Sequence, residues 1–186
     1  VAVVQFGPTV ALTGYIRKTG TSTYDVYTSA NPQTGKVVAP TYPTSEARGF
    51  LSYDTSSLPD TATVSAVRLY VDVYANSAGG SNPDDWVNGF YMGTWVSGTL
   101  DSSDWAGGSY AGVIDWSTNP ADAWVAMASS ANSLINLTGV TDVKVVDFSN
   151  FTAGNGDWYT AWNKTKTKLE VTYTIPAATR RIFVIS

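Results

Sequence analysis

The chain has 186 residues, 11 basic against 15 acidic for a formal charge of −4, and neither cysteine nor histidine. That length suits one domain able to bury a core without covalent staples. The missing residue types exclude Ser-His-Asp and Cys-His relays, thiol nucleophiles and the usual zinc sites.

A pI of about 4.6 argues against nucleic acid as a partner, because phosphates repel an acidic chain. No apolar run is long enough to span a bilayer. Residues 1–6 lack the charged start and long apolar stretch of a signal peptide. Charged residues make up only 14% of the chain, and polarity is carried instead by 24 Thr and 19 Ser. With many Tyr, Trp and Thr and only two Glu, the composition favours strand over helix.

Short segments with period-2 alternation recur along the chain, separated by turn residues. Strands are expected near 1–6, 9–16, 22–28 and 48–54, with turns at Gly35-Lys36 and Leu58-Pro59-Asp60. Val67, Leu69, Val71 and Val73 alternate with Arg68, Tyr70, Asp72 and Tyr74, which describes a strand with one buried face. Further strands are expected near 89–96, 109–114, 133–137 and 142–148. Asn119 can cap a helix and Pro120 fits its first position. Ala121, Trp124, Val125 and Ala128 then form an apolar face, so one short helix is expected over 120–129. Leu169, Val171 and Tyr173 alternate with Lys168, Glu170 and Thr172 as a closing strand, and 180–185 reads as a last one. The spacing suits an all-β, antiparallel β-sandwich of jelly-roll type formed by 1–186 as a single domain.

The stretch Arg48-Gly49-Phe50-Leu51-Ser52-Tyr53-Asp54-Thr55-Ser56-Ser57-Leu58-Pro59, followed by Ala62-Thr63-Val64-Ser65-Ala66-Val67-Arg68-Leu69, resembles the strand–turn–strand signature of the disaggregatase-related (DNRLRE-type) β-sandwich domains. Thr167-Lys168-Leu169-Glu170-Val171-Thr172-Tyr173-Thr174 is similar to that family's closing strand, and Trp158-Tyr159-Thr160-Ala161 to its aromatic segment. The likeness spans roughly 45–174, and the join between Thr63 and Leu69 is one residue shorter than the usual pattern. Such domains are similar to carbohydrate-binding jelly rolls. The resemblance implies settings among secreted surface proteins and virion proteins, and it speaks to fold more than to function.

The residues of the signature also have a direct reading. Phe50 and Ser52 point to one face of a strand and Leu51 and Tyr53 to the other. Asp54 opens a turn, and Leu58 plugs the end of the sandwich.

Four Trp follow an Asp: Asp85-Trp86, Asp104-Trp105, Asp115-Trp116 and Asp157-Trp158. A ring can stack on the C–H face of a sugar while the neighbouring carboxylate accepts its hydroxyl protons. The bland reading is that Trp fills the space between sheets and Asp caps a turn. Asp85, Trp86, Asp104 and Trp105 are the best ligand-binding candidates, because they lie among Gly, Ser and Asn. Asp84, Asp85, Asp101 and Asp104 could offer oxygens to calcium, but without EF-hand spacing, and no metal or other cofactor is expected. Paired-carboxylate catalysis would need two acids across a cleft. The only Glu are Glu46 and Glu170, the latter on an outer face, and no enzyme is expected. Asn136, Asn150 and Asn163 begin N-glycosylation patterns.

Residues 84–157 hold nine Asp against one Lys, whereas 161–186 hold five basic residues against Glu170. This asymmetry fits solvated loops, or an acidic face meeting a basic tail on a neighbouring copy. After 175–179 come Arg180, Arg181, Ile182, Phe183, Val184 and Ile185, and the opposite end carries Val3, Val4 and Phe6. Four consecutive apolar residues read as a strand buried on both faces. The terminal segments 1–16 and 175–186 pair either with their own sheet or with a neighbour by β-augmentation. The expectation is a non-enzymatic structural subunit of an ordered assembly at a virion surface or in an extracellular filament. Its partners are copies of itself or another structural protein. A carbohydrate-binding module or adhesin, with a glycan as partner, is the alternative.

Overall fold

The computed structural model describes residues 1–9, 12–39, 42–78, 87–94, 99–115, 122–148 and 158–176. Among these lie twelve strands, all paired antiparallel: β1 Ala2–Phe6, β2 Gly14–Lys18, β3 Tyr24–Thr28, β4 Gln33–Ala39, β5 Tyr42–Asp54 and β6 Thr63–Ala78. They continue as β7 Val87–Gly93, β8 Ser109–Asp115, β9 Asp122–Ala126, β10 Val140–Asp147, β11 Trp158–Trp162 and β12 Lys168–Thr174. They form an antiparallel β-sandwich. The smaller sheet has the order β1-β12-β6-β9. The larger one runs β11-β4-β5-β10-β7-β8, with the β2–β3 hairpin also paired to β5.

Strand β6 belongs to both sheets. Residues 63–72 pair with β12 and β9, and 73–78 continue along β11. Its alternation is as the sequence predicts: Val67, Leu69 and Val71 enter the core, where Leu169 and Val171 of β12 meet Leu51, Phe90, Met92 and Val145 of the larger sheet. The short join in the family-like stretch contains a bulge. Thr172 pairs with Ala66 and Tyr173 with Val64, leaving Ser65 as the extra residue.

The strand–turn–strand signature builds architecture. Leu51 and Tyr53 lie in the main core, and Phe50 lies on the opposite face with Ile16, Leu100 and Trp105. Asp54 Oδ1 accepts from Ser56 N at 3.1 Å and from Ser56 Oγ at 2.6 Å, which turns the chain after β5. Leu58, 3% exposed, closes the sandwich end.

Three expectations are corrected. Residues 122–126 of the expected helix are strand β9, with Val125 opposite Leu69 and Trp124 opposite Tyr70. Over five residues, apolar spacing cannot separate a period of 2 from one of 3.6. The free side of β6 supplies backbone partners, and Val and Trp suit a strand. Asn119 and Pro120 lie outside the described residues. Gly35-Lys36 is the interior of β4, not a turn: Gly35 pairs with Ala47 and Tyr159 at φ 129°, a left-handed conformation that glycine adopts without strain. Ser129–Leu134 is a 3₁₀ helix, and no strand follows over 133–137.

Candidate functional site

The outer face of the larger sheet, turned away from the main core, gathers the polar and aromatic side chains of interest. The register aligns Phe50 of β5, Lys144 of β10, Tyr91 of β7 and Tyr110 of β8 in one row across four strands. Phe90 and Met92 are fully buried in the core, so Tyr91 between them faces outward.

On β8, Tyr110 and Val113 are three residues apart and would face opposite ways on a regular strand. A bulge corrects this: Phe90 pairs with Gly112 and Tyr91 with Tyr110, leaving Ala111 extra. Ala111 and Ile114 therefore point into the core, while Tyr110 (47% exposed) and Val113 (45%) both face solvent. Phe148, 40% exposed, folds back over Gly89 from the end of β10. A Cβ at Gly89 would lie 2.2 Å from Phe148 Cε2, so only glycine lets the ring rest there. The Phe148 amide is anchored by donating to Val87 O at 2.9 Å.

Tyr91, Tyr110 and Phe148 form a triangle with centroids 6.0, 6.2 and 6.4 Å apart. The Tyr110 and Phe148 planes differ by only 16°, and Tyr91 stands edge-on to both at 81° and 90°. The three rings make an aromatic cluster on the outer face of the sheet, with Tyr110 and Phe148 half-exposed.

Beside it lies a buried polar cluster under the segment 99–107. Lys144 is 2% exposed, and its Nζ donates to Trp105 O at 3.0 Å and to Gly107 O, 5.2 Å from the centroid of the Tyr91 ring. Arg48 Nη1 donates to the same Trp105 O at 2.8 Å while its guanidinium lies 4.0 Å over the Trp105 ring, and its Nε pairs with Glu46 Oε1 at 2.8 Å. Burial, with the Arg48 charge adding, lowers the Lys144 pKa to about 8; Asp104 and Glu46 oppose the shift. Two residues along the same strands from the Phe50–Lys144 pair, Ser52 Oγ donates to Asp142 Oδ1 at 2.5 Å.

The sequence-nominated residues fall in different places. Trp105 is 8% exposed and packs inward with Ile16, Phe50 and Leu100. Asp104 is 4% exposed and closes a capping box with Asp101: Asp104 Oδ2 accepts from Asp101 N at 2.9 Å, and Asp101 Oδ1 accepts from Ser103 N at 2.7 Å. Burial raises the Asp104 pKa, whereas the Ser103 hydroxyl and amide lower that of exposed Asp101. These two candidates brace the segment and do not offer it as a surface platform. Asp85 and Trp86 lie outside the described residues, as do Asp84, Arg180, Arg181, Ile182, Phe183, Val184 and Ile185. Val3 is 59% exposed, Val4 packs against the core, and Phe6 is buried within it.

On the smaller sheet's outer face, Arg68 Nη2 and Nε both reach Glu170 Oε1, at 2.6 and 2.9 Å, and Gln5 Nε2 donates to Glu170 Oε2 at 2.9 Å. Asn136 and Asn163 accept from Thr138 and Thr165, two residues on, as local Asx turns. An open cleft of about 580 Å³ lies between the β2–β3 turn and β4–β5, lined by Lys18, Thr19, Thr21, Lys36, Ser45 and Glu46. Among the described residues no three acidic side chains gather as a metal site, and no helix is long and apolar enough to cross a membrane.

The cluster was not legible as a site because its three rings come from β7, β8 and the residue after β10, with no shared motif. The one local signal was Gly89 directly before Phe90-Tyr91. No family model matches the chain, and no curated protein matches it. A solved structure described as a carbohydrate-binding module from the β-sandwich super family aligns with 93% of this chain at 8% identity and a TM-score of 0.28. The chain spans 56% of that protein's length.

Proposed function

We propose that this chain is a non-enzymatic recognition module that binds a saccharide on the outer face of its larger sheet, with Tyr91, Tyr110 and Phe148 as the platform. The observation that carries the reading is the half-exposed pair Tyr110 and Phe148, stacked with planes 16° apart and centroids 6.4 Å apart, with the Phe148 amide bonded to Val87 O. A fixed aromatic surface offers C–H stacking at little entropic cost. Contiguous exposed apolar surface of this kind marks a binding face. Asp85 and Trp86, which precede β7 in the sequence, are the Trp-Asp pair that the test includes.

The test is a glycan array, followed by calorimetric titration of the best oligosaccharide with Tyr110→Ala, Phe148→Ala and Trp86→Ala. Loss of one stacked ring, about 1 kcal/mol, predicts roughly five-fold weaker binding for the first two. Unchanged affinity in both would overturn the platform, and Trp86→Ala decides whether that side chain takes part.

A second reading is a structural subunit of an ordered assembly, as a virion decoration or fibre or an extracellular surface filament. It is favoured by β1, which lies at the sheet edge with Val3 59% exposed. Size-exclusion with light scattering on the full chain checks it: a monomer at high concentration ends this reading.

A further inference from the structure

Among the described residues β1 pairs with β12 on one side and with no other strand. In an antiparallel pair, part of each strand's N–H and C=O groups point away from the partner, so the outer side of β1 presents a row of backbone groups with no strand partner among the described residues. Apolar side chains flank that row on both faces. Val3 is exposed on the outer face, and Val4 and Phe6 pack against the core on the inner one. A strand added here would meet apolar neighbours above and below.

One segment of the sequence has matching character. Ile182, Phe183, Val184 and Ile185 are consecutively apolar, as suits a strand covered on both faces. They follow β12 after the seven residues 175–181.

Chain direction decides which copy supplies the segment. Ala2 pairs with Tyr173 and Phe6 with Leu169, so β12 leaves the sheet at the N-terminal end of β1. Turning back from there, a chain's own segment would lie parallel to its β1, the weaker pairing and a foreign one in an antiparallel sheet. To lie antiparallel it must first travel the length of β1, about 17 Å, and sideways across two strand spacings of about 5 Å each. That diagonal is about 20 Å, and seven residues reach at most about 25 Å fully extended, so about 5 Å remains for two reversals of direction. A segment arriving from another molecule meets neither constraint.

We propose that the free edge of β1 accepts residues 182–185 of a second copy as an antiparallel strand. This rests on the assembly reading and names its joint. Reciprocal exchange closes a dimer, and one-way exchange continues as a filament.

The chain contains no cysteine, so engineered thiols are unique. Val3→Cys is combined in turn with Ile182→Cys, Phe183→Cys, Val184→Cys and Ile185→Cys in the full chain, under mild oxidation. Covalent dimers or ladders are expected at alternate positions of the four, since only one face of the added strand meets residue 3. Mixing Val3→Cys protein with Val184→Cys or Phe183→Cys protein should give a mixed dimer. Cross-linked monomers would show that each chain covers its own edge, and absence of any cross-link would remove this occupant. Light scattering separates the two failures. Oligomers that persist without residues 180–186 and without cross-links leave the assembly reading standing and overturn the joint; a monomer throughout overturns both.

Discussion

Replacing Gly89 with Ala tests whether the platform depends on the ring that lies across that glycine. The added Cβ would sit 2.2 and 2.3 Å from Phe148 Cε2 and Cζ, so the ring must leave. The backbone need not move: Gly89 is not at positive φ, and the Phe148 amide stays anchored to Val87 O at 2.9 Å. Stability should barely change. Ala in place of Gly at a compatible position stabilises by about 0.5–1 kcal/mol through the unfolded chain. Removing a ring that is 40% exposed forfeits about 1 kcal/mol of burial, roughly half of a full Phe side chain. The net change is within about 1 kcal/mol, or roughly 2–4 °C in Tm for a domain of this size. Saccharide affinity should fall about five-fold, because one of the two co-oriented rings is gone. Thermal unfolding and calorimetric titration on the same preparation give both numbers. Wild-type affinity in a variant whose NMR spectrum shows Phe148 displaced would refute the reasoning, as would a loss of affinity explained by collapse of the fold.

Trp105→Ala should cost about 3 kcal/mol of stability through the cavity left among Ile16, Phe50 and Leu100, measured by urea unfolding, without lowering saccharide affinity at the remaining fold. Lys144 has a folded pKa near 8 against an ordinary 10.5, so the unfolded chain binds more protons between those values and stability rises with pH across that window. From pH 8 to 9.5 the gain is about 1.5 kcal/mol, and Lys144→Met should flatten it in urea titrations at the two pH values. Glu170 is held below the usual carboxylate range by the Gln5 amide and Arg68, against an opposing effect of burial. Its contribution is therefore present above pH 4.5 and lost as pH falls through its depressed value. Glu170→Gln should remove that part of the acid limb in a melting series from pH 6 to pH 3.

The strands with strict alternation were legible in the amino-acid order. Val67, Leu69 and Val71 face the core against Leu169 and Val171, and Phe50 and Leu51 divide between two apolar clusters. Side-chain direction in a strand follows from a period of two that each short segment carries within itself. Strand β9 was not legible, because five residues around Trp124 fit two periods and the free side of β6, more than fifty residues away, settled the matter. Nor was the interior of β4, where Gly35 looks like a turn until Ala47 and Tyr159 pair with it on either side.

The same division runs through the candidate site. Sequence pointed to Trp beside Asp, and at Asp104-Trp105 the fold spends both on bracing, with the ring under Arg48 and the carboxylate on a backbone amide. The surface platform arises from a bulge at Ala111, a bare Cα at Gly89 and a ring returning from the end of β10. Composition and alternation determined that this chain is all-β, with strands such as β6 and β12 turning alternate residues into the core. Which strands became neighbours, where the register slipped by a residue, and hence which rings met on the outside were decided by tertiary structure, because those outcomes depend on backbone partners far away in the chain.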